Sequence, residues 1–145
     1  MGAVLLVDDD RVQQLAISKM LKVRGLNVII AGDGVEALKK IKCYSPSLII
    51  LDIVLPKMNG YEVCRQLKKN QKTQSIPIVM FTAKSEDFDF YWGSKQGADA
   101  YVSKQSHPQE LINTVIQLLP KIPVTLEEPL PNAGRGSLSP PSLAP

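Results

Sequence analysis

Charged side chains follow three apolar runs of this 145-residue chain, at the points where the runs at 4–7, 48–51 and 100–103 end. Asp8 and Asp9 follow the first of these runs, Asp52 follows the second, and Lys104 follows the third. Short apolar runs predict buried parallel strands, and sites in open α/β sheets lie beyond the carboxyl ends of such strands. We therefore expect the four side chains to meet in one pocket. Three carboxylates and one ammonium there indicate chemistry on a hard metal ion and a phosphoryl group.

The elements that position these side chains alternate along the chain. The predicted strands span 3–7, 27–31, 47–51, 76–80 and 99–103, and the predicted helices span 11–24, 34–44, 60–70, 85–96 and 107–119. Five strands that alternate with five helices predict an α/β fold in which helices flank both faces of a five-stranded parallel sheet.

Two of the predicted helices carry an apolar stripe. The stripe on the fifth helix consists of Leu111, Ile112, Val115, Leu118 and Leu119, and that on the first of Val12, Leu15, Ala16, Met20 and Val23. Residues at this spacing share one face of a helix, so we expect both stripes to lie in the core.

Polar residues mark the starts of four helices. The spacing of a capping box is found in four pairs: Asp10 with Gln13, Asp33 with Glu36, Asn59 with Glu62, and Ser106 with Gln109. In such a box the first residue caps the helix, so Asp10 is better explained as a helix cap than as a site residue.

The composition is that of an ordinary globular protein. A net charge of +3 is mild and does not by itself predict binding to nucleic acid. No stretch approaches 18 uninterrupted apolar residues, and no signal-peptide core follows the N-terminus, so we expect no membrane insertion. Cys43 and Cys64 lack a CxxC spacing, which favours a reduced, cytoplasmic protein.

The composition changes at Pro120. Residues 120–145 contain seven of the eleven prolines, together with Gly and Ser, and show no sustained apolar period. Such a segment buries too little apolar surface to fold alone, so we expect one domain over 1–119 and a disordered tail over 120–145. We expect no covalently attached output domain.

Residues 3–119 resemble the receiver domain of two-component response regulators, the CheY-like family. The resemblance rests on Val-Asp-Asp-Asp at 7–10, Leu-Asp at 51–52, Leu-Pro-Lys-Met-Asn-Gly at 55–60, Phe-Thr-Ala at 81–83 and Gly-Ala-Asp-Ala-Tyr-Val-Ser-Lys at 97–104. The last motif, with residues 91–93 before it and 107–111 after it, is similar to PilH-like stand-alone regulators of surface motility. The resemblance implies a doubly wound, flavodoxin-like (βα)5 fold.

The resemblance also implies a Mg²⁺ site. Asp9 and Asp52 would bind the ion directly, together with the backbone carbonyl of Val54, and Asp8 would act through a bound water. These oxygen ligands agree with the known preference of Mg²⁺, which keeps several waters in its octahedral shell.

In the same family, Asp52 would take a phosphoryl group from the phosphohistidine of a histidine kinase. A carboxylate repels an incoming phosphate, so the metal and Lys104 would have to offset that charge. The hydroxyl of Thr82 would then hydrogen-bond a phosphoryl oxygen.

The readout of phosphorylation would be a change of surface. In the family the hydroxyl at the Thr82 position moves toward the phosphoryl group, and the aromatic ring at the Tyr101 position turns inward. This reshapes the face made by the fourth helix, fifth strand and fifth helix, through which we expect a downstream protein to bind.

Aromatic side chains are concentrated in the predicted helix at 85–96, at Phe88, Phe90, Tyr91 and Trp92. They cannot all face the core, because a helix turns about 100° per residue. Either two are core residues and two are partly exposed, or Phe90, Trp92 and Tyr101 contribute to a partner-binding surface.

Three positions depart from the usual pattern of the family. In the family, a proline in a cis peptide bond usually follows the lysine, whereas here the residue is Gln105. A cis peptide bond without proline is unfavourable by about 2.5–4 kcal/mol. The loop is therefore either rearranged around a trans bond or strained. Val54 and Lys84 stand at positions that resemble those which, in the family, tune how long the phosphoryl group persists. An apolar Val54 gives no help to an attacking water, so we expect a lifetime at the slow end.

The sequence thus predicts a single-domain response regulator that signals by phosphorylation-dependent protein contact, in motility or taxis. It would catalyse only its own phosphorylation and dephosphorylation. The alternative is a degenerate receiver that binds proteins independently of phosphorylation. An aspartyl-phosphate phosphatase would need an acid at position 54, where this chain has Val54. A flavodoxin-like protein would bind a cofactor phosphate at the loop after the first strand, and the acidic residues of that loop would repel the phosphate.

Overall fold

The computed structural model describes residues 3–83 and 97–119, which form five strands and four helices. The strands are β1 (Ala3–Val7), β2 (Asn27–Ala31), β3 (Leu48–Leu51), β4 (Ile78–Thr82) and β5 (Ala100–Ser103). The helices are α1 (Arg11–Val23), α2 (Gly34–Tyr44), α3 (Gly60–Lys69) and α4 (Pro108–Leu118). The predicted helix at 85–96 and the predicted tail lie outside the described residues, so α4 is the helix predicted over 107–119.

All five strands are parallel and lie in the order β2-β1-β3-β4-β5. The chain moves outward from β1 to β2 in one direction and from β3 to β5 in the other, so the strand order reverses between β1 and β3. Val7 and Leu51 are paired at the carboxyl ends of these two central strands. The residues that follow them, Asp8 and Asp52, therefore leave the sheet side by side.

Apolar side chains fill both faces of the sheet. The buried cluster on one face joins alternate strand residues such as Leu5 and Ile49 to the inner sides of α2 and α3. The cluster on the other face joins Leu6 and Ile50 to α1 and α4. Each fully buried Leu or Ile side chain stabilises the fold by about 1.5–3 kcal/mol. The central strands are apolar on both faces because helices cover both.

The predicted stripe on α4 is confirmed, whereas the predicted stripe on α1 is wrong. Leu111, Ile112 and Val115 are buried, and Leu118 and Leu119 pack against the same cluster. On α1, Val12, Leu15 and Val23 are instead 74%, 64% and 77% exposed, and Ala16 is exposed as well. Of the five predicted residues, only Met20, which is partly buried, packs against the core cluster. The inner face of this helix consists of Gln14, Ile17, Ser18 and Leu21.

Helix caps follow the predictions at three of four starts. Asp10, Asp33 and Asn59 are N-caps, although Asp10 accepts from the backbone N–H of Val12. The prediction of Ser106 is wrong, since His107 is the cap of α4 and its Nδ1 accepts from the Gln109 N–H at 3.1 Å. Pro108 explains this, because proline suits the first helical position and leaves the preceding residue as the cap.

Strand β4 begins and ends two residues later than predicted, so Thr82 is the last strand residue rather than the second residue after the strand. The reason is its pairing with β5, which continues to Thr82 opposite Ser103. Among the residues that the structure describes, no helix is long and apolar enough to cross a membrane.

Candidate functional site

Three acidic side chains meet at the carboxyl edge of the sheet. Asp8, Asp9 and Asp52 each place one carboxylate oxygen within 4.8 Å of the others. Asp8 and Asp52 are only 1% and 6% exposed, because they leave adjacent central strands, whereas Asp9 faces outward. The predicted convergence of these acids is therefore present in the folded chain.

Lys104 lies between the two buried carboxylates. Its Nζ is 2.7 Å from Oδ2 of Asp8 and 2.9 Å from Oδ2 of Asp52, and its side chain is only 15% exposed. The ammonium also lies 5.8 Å from the centre of the Phe81 ring, within the range of a cation–π contact. One cation thus neutralises part of the charge of the acidic cluster.

Burial and hydrogen bonds shift the pKa values of two groups at this edge, Asp8 and Lys104. Burial raises the pKa of the Asp8 carboxyl, and the hydrogen bonds from Lys104 and from the Asp10 N–H offset this only in part. Burial alone would lower the pKa of the Lys104 ammonium, but hydrogen bonds to Asp8 and Asp52 outweigh it, so that pKa is raised. Lys104 is therefore a firmly charged ammonium at neutral pH.

Backbone and side-chain bonds hold Asp8 in place. Its N–H donates to the Ala31 carbonyl at 3.0 Å, and its Oδ1 accepts from the Asp10 N–H at 2.9 Å. Its own carbonyl accepts from Nε2 of Gln14, a buried polar side chain on the inner face of α1. Gln14 is not among the predicted site residues, because an inward glutamine carries no sequence pattern that would reveal it.

Asp52 is held by the strand before it and the loop after it. Its N–H donates to the Val7 carbonyl at 3.0 Å, and its Oδ1 accepts from the Val54 N–H at 3.2 Å. The side chain of Val54 is 57% exposed, so the predicted apolar neighbour of the acidic cluster faces outward. One oxygen of Asp52 is thus fixed by backbone and the other by Lys104.

The loop between β3 and α3 packs directly on Asp52. Gly60 donates its N–H to the Ile53 carbonyl at 2.8 Å, and a Cβ added there would overlap the carbonyl of Asp52 and lie 2.9 Å from Cα of Ile53. Before α3, the loop contains a γ-turn centred on Lys57, which has a φ of 70°. The turn is closed by the Met58 N–H, which donates to the Pro56 carbonyl at 2.7 Å. Pro56 thus begins the turn, and Gly60 is the first residue of α3.

Thr82 and Tyr101 lie on the two strands nearest Lys104. Thr82 is fully buried at the end of β4, and its carbonyl accepts from the Lys104 N–H at 2.8 Å. Tyr101 is half-buried, pairs with Met80 and packs against the cluster shared with α2 and α3. Lys84, Phe90 and Trp92 lie outside the described residues.

The peptide between Lys104 and Gln105 is trans, since the described residues contain no cis peptide bond. Of the two conformations that the sequence left open, the structure has the trans one. Lys104 nonetheless reaches both carboxylates.

The donor set at this edge fits a hard divalent cation. Three carboxylates supply only oxygen ligands, which magnesium, calcium and manganese prefer over softer metals. Two of the acids are fixed by hydrogen bonds and the third faces solvent, so a cation could keep water ligands on its open side.

Comparison with known sequences gives consistent matches. A family model described as the response regulator receiver domain matches residues 4–116. The alkaline phosphatase synthesis transcriptional regulatory protein PhoP of Bacillus subtilis is 44% identical over 108 residues, which are 74% of this chain and 44% of PhoP. The chain thus spans about half the length of such relatives. Protein PilH of Pseudomonas aeruginosa is 32% identical over 119 residues, which are 82% of this chain and 98% of PilH.

Solved structures share this fold. The chemotaxis protein CheY4 of Vibrio cholerae superposes with a TM-score of 0.76 at 30% identity, covering 82% of this chain and 99% of CheY4. The Mn²⁺-bound form of the response regulator Rcp1 superposes with a TM-score of 0.72 at 26% identity, covering 83% of this chain and all of Rcp1 (100%).

Proposed function

The chain belongs to the response regulator receiver family, and from that premise we propose that it accepts a phosphoryl group on Asp52. Receiver domains are signalling switches that histidine kinases phosphorylate and that then act on downstream targets. The observation that carries the proposal is the contact of Lys104 with Asp52 beside the other two acids. A buried carboxylate next to a fixed ammonium is suited to receive a negatively charged group.

In the proposed reaction, a carboxylate oxygen of Asp52 forms a bond to phosphorus, and the bond between phosphorus and the kinase histidine breaks. Lys104 then neutralises the charge of one phosphoryl oxygen, and the hydroxyl of Thr82 donates a hydrogen bond to another. Positioning and charge neutralisation are the main contributions that a protein makes to phosphoryl transfer. The chain would catalyse only its own phosphorylation and dephosphorylation.

Receiver domains bind a divalent metal at their acidic pocket, and we propose that the metal here is Mg²⁺. Asp9, Asp52 and the Val54 carbonyl would hold the ion, and Asp8 would contact it through water. When bound, the ion supplies positive charge that offsets repulsion between the acids and the phosphoryl group. The oxygen donor set and the Mn²⁺-bound form of Rcp1 support this proposal.

The proposed output is a phosphorylation-dependent protein contact through the face that contains β5 and α4, with Tyr101 as the switch ring. A stand-alone role in motility or taxis is supported by the match to nearly all of PilH and by the chemotaxis protein CheY4. A cytoplasmic location and the absence of nucleic-acid binding remain part of this proposal. Gln105, in place of the usual proline, is the departure that would favour the degenerate receiver, whereas the contact of Lys104 with Asp52 favours the phospho-accepting function.

A phosphotransfer assay tests the function. The wild-type chain and Asp52→Asn are incubated with radiolabelled histidine kinases and, separately, with an acyl phosphate in Mg²⁺. Asp10→Asn is the matched control, because asparagine caps a helix as well as aspartate does. We expect label on wild type and the control and none on Asp52→Asn. Equal labelling of Asp52→Asn would refute the site, and no labelling of wild type by any donor would favour the degenerate receiver.

A further inference from the structure

The backbone after β5 forms a tight turn that carries Lys104. The N–H of Ser106 donates to the carbonyl of Ser103 at 3.0 Å, which closes a β-turn over residues 103–106. Neither central residue of the turn, Lys104 or Gln105, has a positive φ, and no cis peptide bond is present in the described residues. These features match a type I turn, in which serine is favoured at the first position.

The hydroxyl of Ser103 adds a second bond inside this turn. Its Oγ accepts from the N–H of Gln105 at 3.0 Å. The Lys104 N–H donates to the Thr82 carbonyl at 2.8 Å. Three consecutive backbone N–H groups, from Lys104 to Ser106, therefore each have a hydrogen-bond acceptor. The first anchors Lys104 to β4, and the other two fix the direction in which the chain leaves β5.

We propose that Ser103 is a positioning residue for phosphoryl transfer, and that its hydroxyl holds the trans turn in which Lys104 reaches Asp8 and Asp52. The inference rests on the proposed function of Lys104. A proline at position 105, the usual residue of the family, has no N–H and could not make this bond. In this chain, a hydrogen bond from Gln105 supplies the constraint that a proline ring would otherwise impose.

Geometry explains why the turn matters to a side chain that ends several bonds away. Lysine has a flexible four-carbon stem, so its ammonium is fixed only if its backbone is fixed. Both contacts of Nζ lie between 2.7 and 2.9 Å, and a displacement of about 1 Å would weaken or break at least one of them. A loosened turn would therefore reduce the binding of a phosphoryl group and leave the acidic ligands in place.

Beryllofluoride, a mimic of the phosphoryl group, provides the test on the full chain. Its affinity and that of Mg²⁺ alone are measured for wild type, Ser103→Ala, Ser103→Thr and Ser106→Ala. We expect Ser103→Ala to bind beryllofluoride about five-fold more weakly, which is the size of one hydrogen bond, with a Mg²⁺ affinity within about two-fold of wild type. Ser103→Thr keeps the hydroxyl and should restore binding. Ser106→Ala, a serine of the same turn that contributes its backbone N–H, should match wild type.

A double-mutant cycle separates positioning from a general loss of structure. In a Lys104→Ala background, Ser103→Ala should cause no further loss of beryllofluoride binding, because the residue through which it acts is gone. The same loss in both backgrounds, or no loss in either, would overturn the inference. Amide hydrogen exchange at Gln105 reports the turn without any phosphoryl chemistry and should accelerate about five-fold in Ser103→Ala.

The two proposals fail in different ways. If wild type and Asp52→Asn bind beryllofluoride alike, the proposed function is wrong. If Asp52→Asn abolishes binding but Ser103→Ala does not weaken it, the function stands and the role of Ser103 is wrong.

Discussion

Oδ2 of Asp52 lies 2.9 Å from Nζ of Lys104, so the proposed phosphoacceptor is already paired with the cation that would contact the phosphoryl group. A lysine ammonium has three N–H donors, so Lys104 can bond a phosphoryl oxygen in addition to its two carboxylate partners. Before transfer, Lys104 compensates the negative charge of the two buried acids, Asp8 and Asp52. Its removal should have consequences for stability as well as for phosphorylation.

We expect Lys104→Met to destabilise the metal-free chain by about 2–4 kcal/mol, because two buried carboxylates then face each other without a cation. Mg²⁺ should stabilise the variant more than wild type, since it replaces the lost positive charge. Urea denaturation with and without Mg²⁺ measures both effects. Lys22→Met, at an exposed lysine of α1, is the control and should change little. A variant with wild-type stability and an unaltered response to Mg²⁺ would contradict the compensating role.

Gly60→Ala should disturb Asp52 through the backbone. A methyl group at this position would overlap the carbonyl of Asp52, and backbone cannot move aside as a flexible side chain can. We expect a loss of about 1–3 kcal/mol in the free energy of unfolding and weaker phosphorylation. Gly32→Ala is the control, because its Cβ would meet nothing closer than 3.7 Å. Unchanged labelling of Gly60→Ala in the phosphotransfer assay would show that the loop tolerates the displacement.

Ser18→Ala should not destabilise the protein and should raise the free energy of unfolding by up to about 1 kcal/mol. The hydroxyl of Ser18 is buried on the inner face of α1 and has no hydrogen-bond partner among the residues that the structure describes. Alanine removes this unpaired group and is the better helix former. Urea denaturation gives the result. A loss above about 1 kcal/mol would mean that the hydroxyl has a partner.

The sheet and the acidic cluster were predictable because each depends on local pattern. Every central strand is an apolar run, and Asp8 and Asp52 directly follow two such runs, so the parallel arrangement alone brings them together. The inner face of α1 was not predictable in this way. Apolar spacing favours Val12 and Leu15, yet Gln14 turns inward because it bonds the Asp8 carbonyl, a contact that exists only after β1 and α1 have packed.

The turn at Lys104 was unpredictable for a related reason. The resemblance indicated only that a proline is missing at position 105, and a missing residue does not say what replaces its constraint. The Ser103 hydroxyl does so through a bond of 3.0 Å. Serine at the first position of a turn is a common preference, too weak to identify the bond without coordinates.

Tyr101 stays the predicted switch ring, and its position offers a direct test. The ring is half-buried on β5, two residues before Ser103. We expect beryllofluoride at Asp52 to turn the ring inward, with a changed side-chain rotamer detected by NMR or crystallography. Asp52→Asn with the same reagent is the control and should keep the original rotamer. An unchanged rotamer in beryllofluoride-bound wild type would contradict the assignment.

The two cysteines should differ sharply in reactivity. Burial raises the pKa of the Cys64 thiol to about 11, whereas Cys43 is exposed near the end of α2. The thiolate is the nucleophile, and at pH 8 only about one Cys64 side chain in a thousand is ionised. A disulfide reagent at pH 8 should therefore modify one thiol in the folded chain and a second only after unfolding, and Cys43→Ser should abolish the fast reaction. Rapid modification of both thiols in the folded wild type would show that Cys64 is accessible.

The raised pKa of Cys64 should also make stability depend on pH. In the unfolded chain the thiol ionises near its ordinary pKa of 9.0, whereas in the folded chain it ionises only near 11. The free energy of unfolding should therefore fall as the pH rises from about 9 toward 11, and it should fall less in Cys64→Ala.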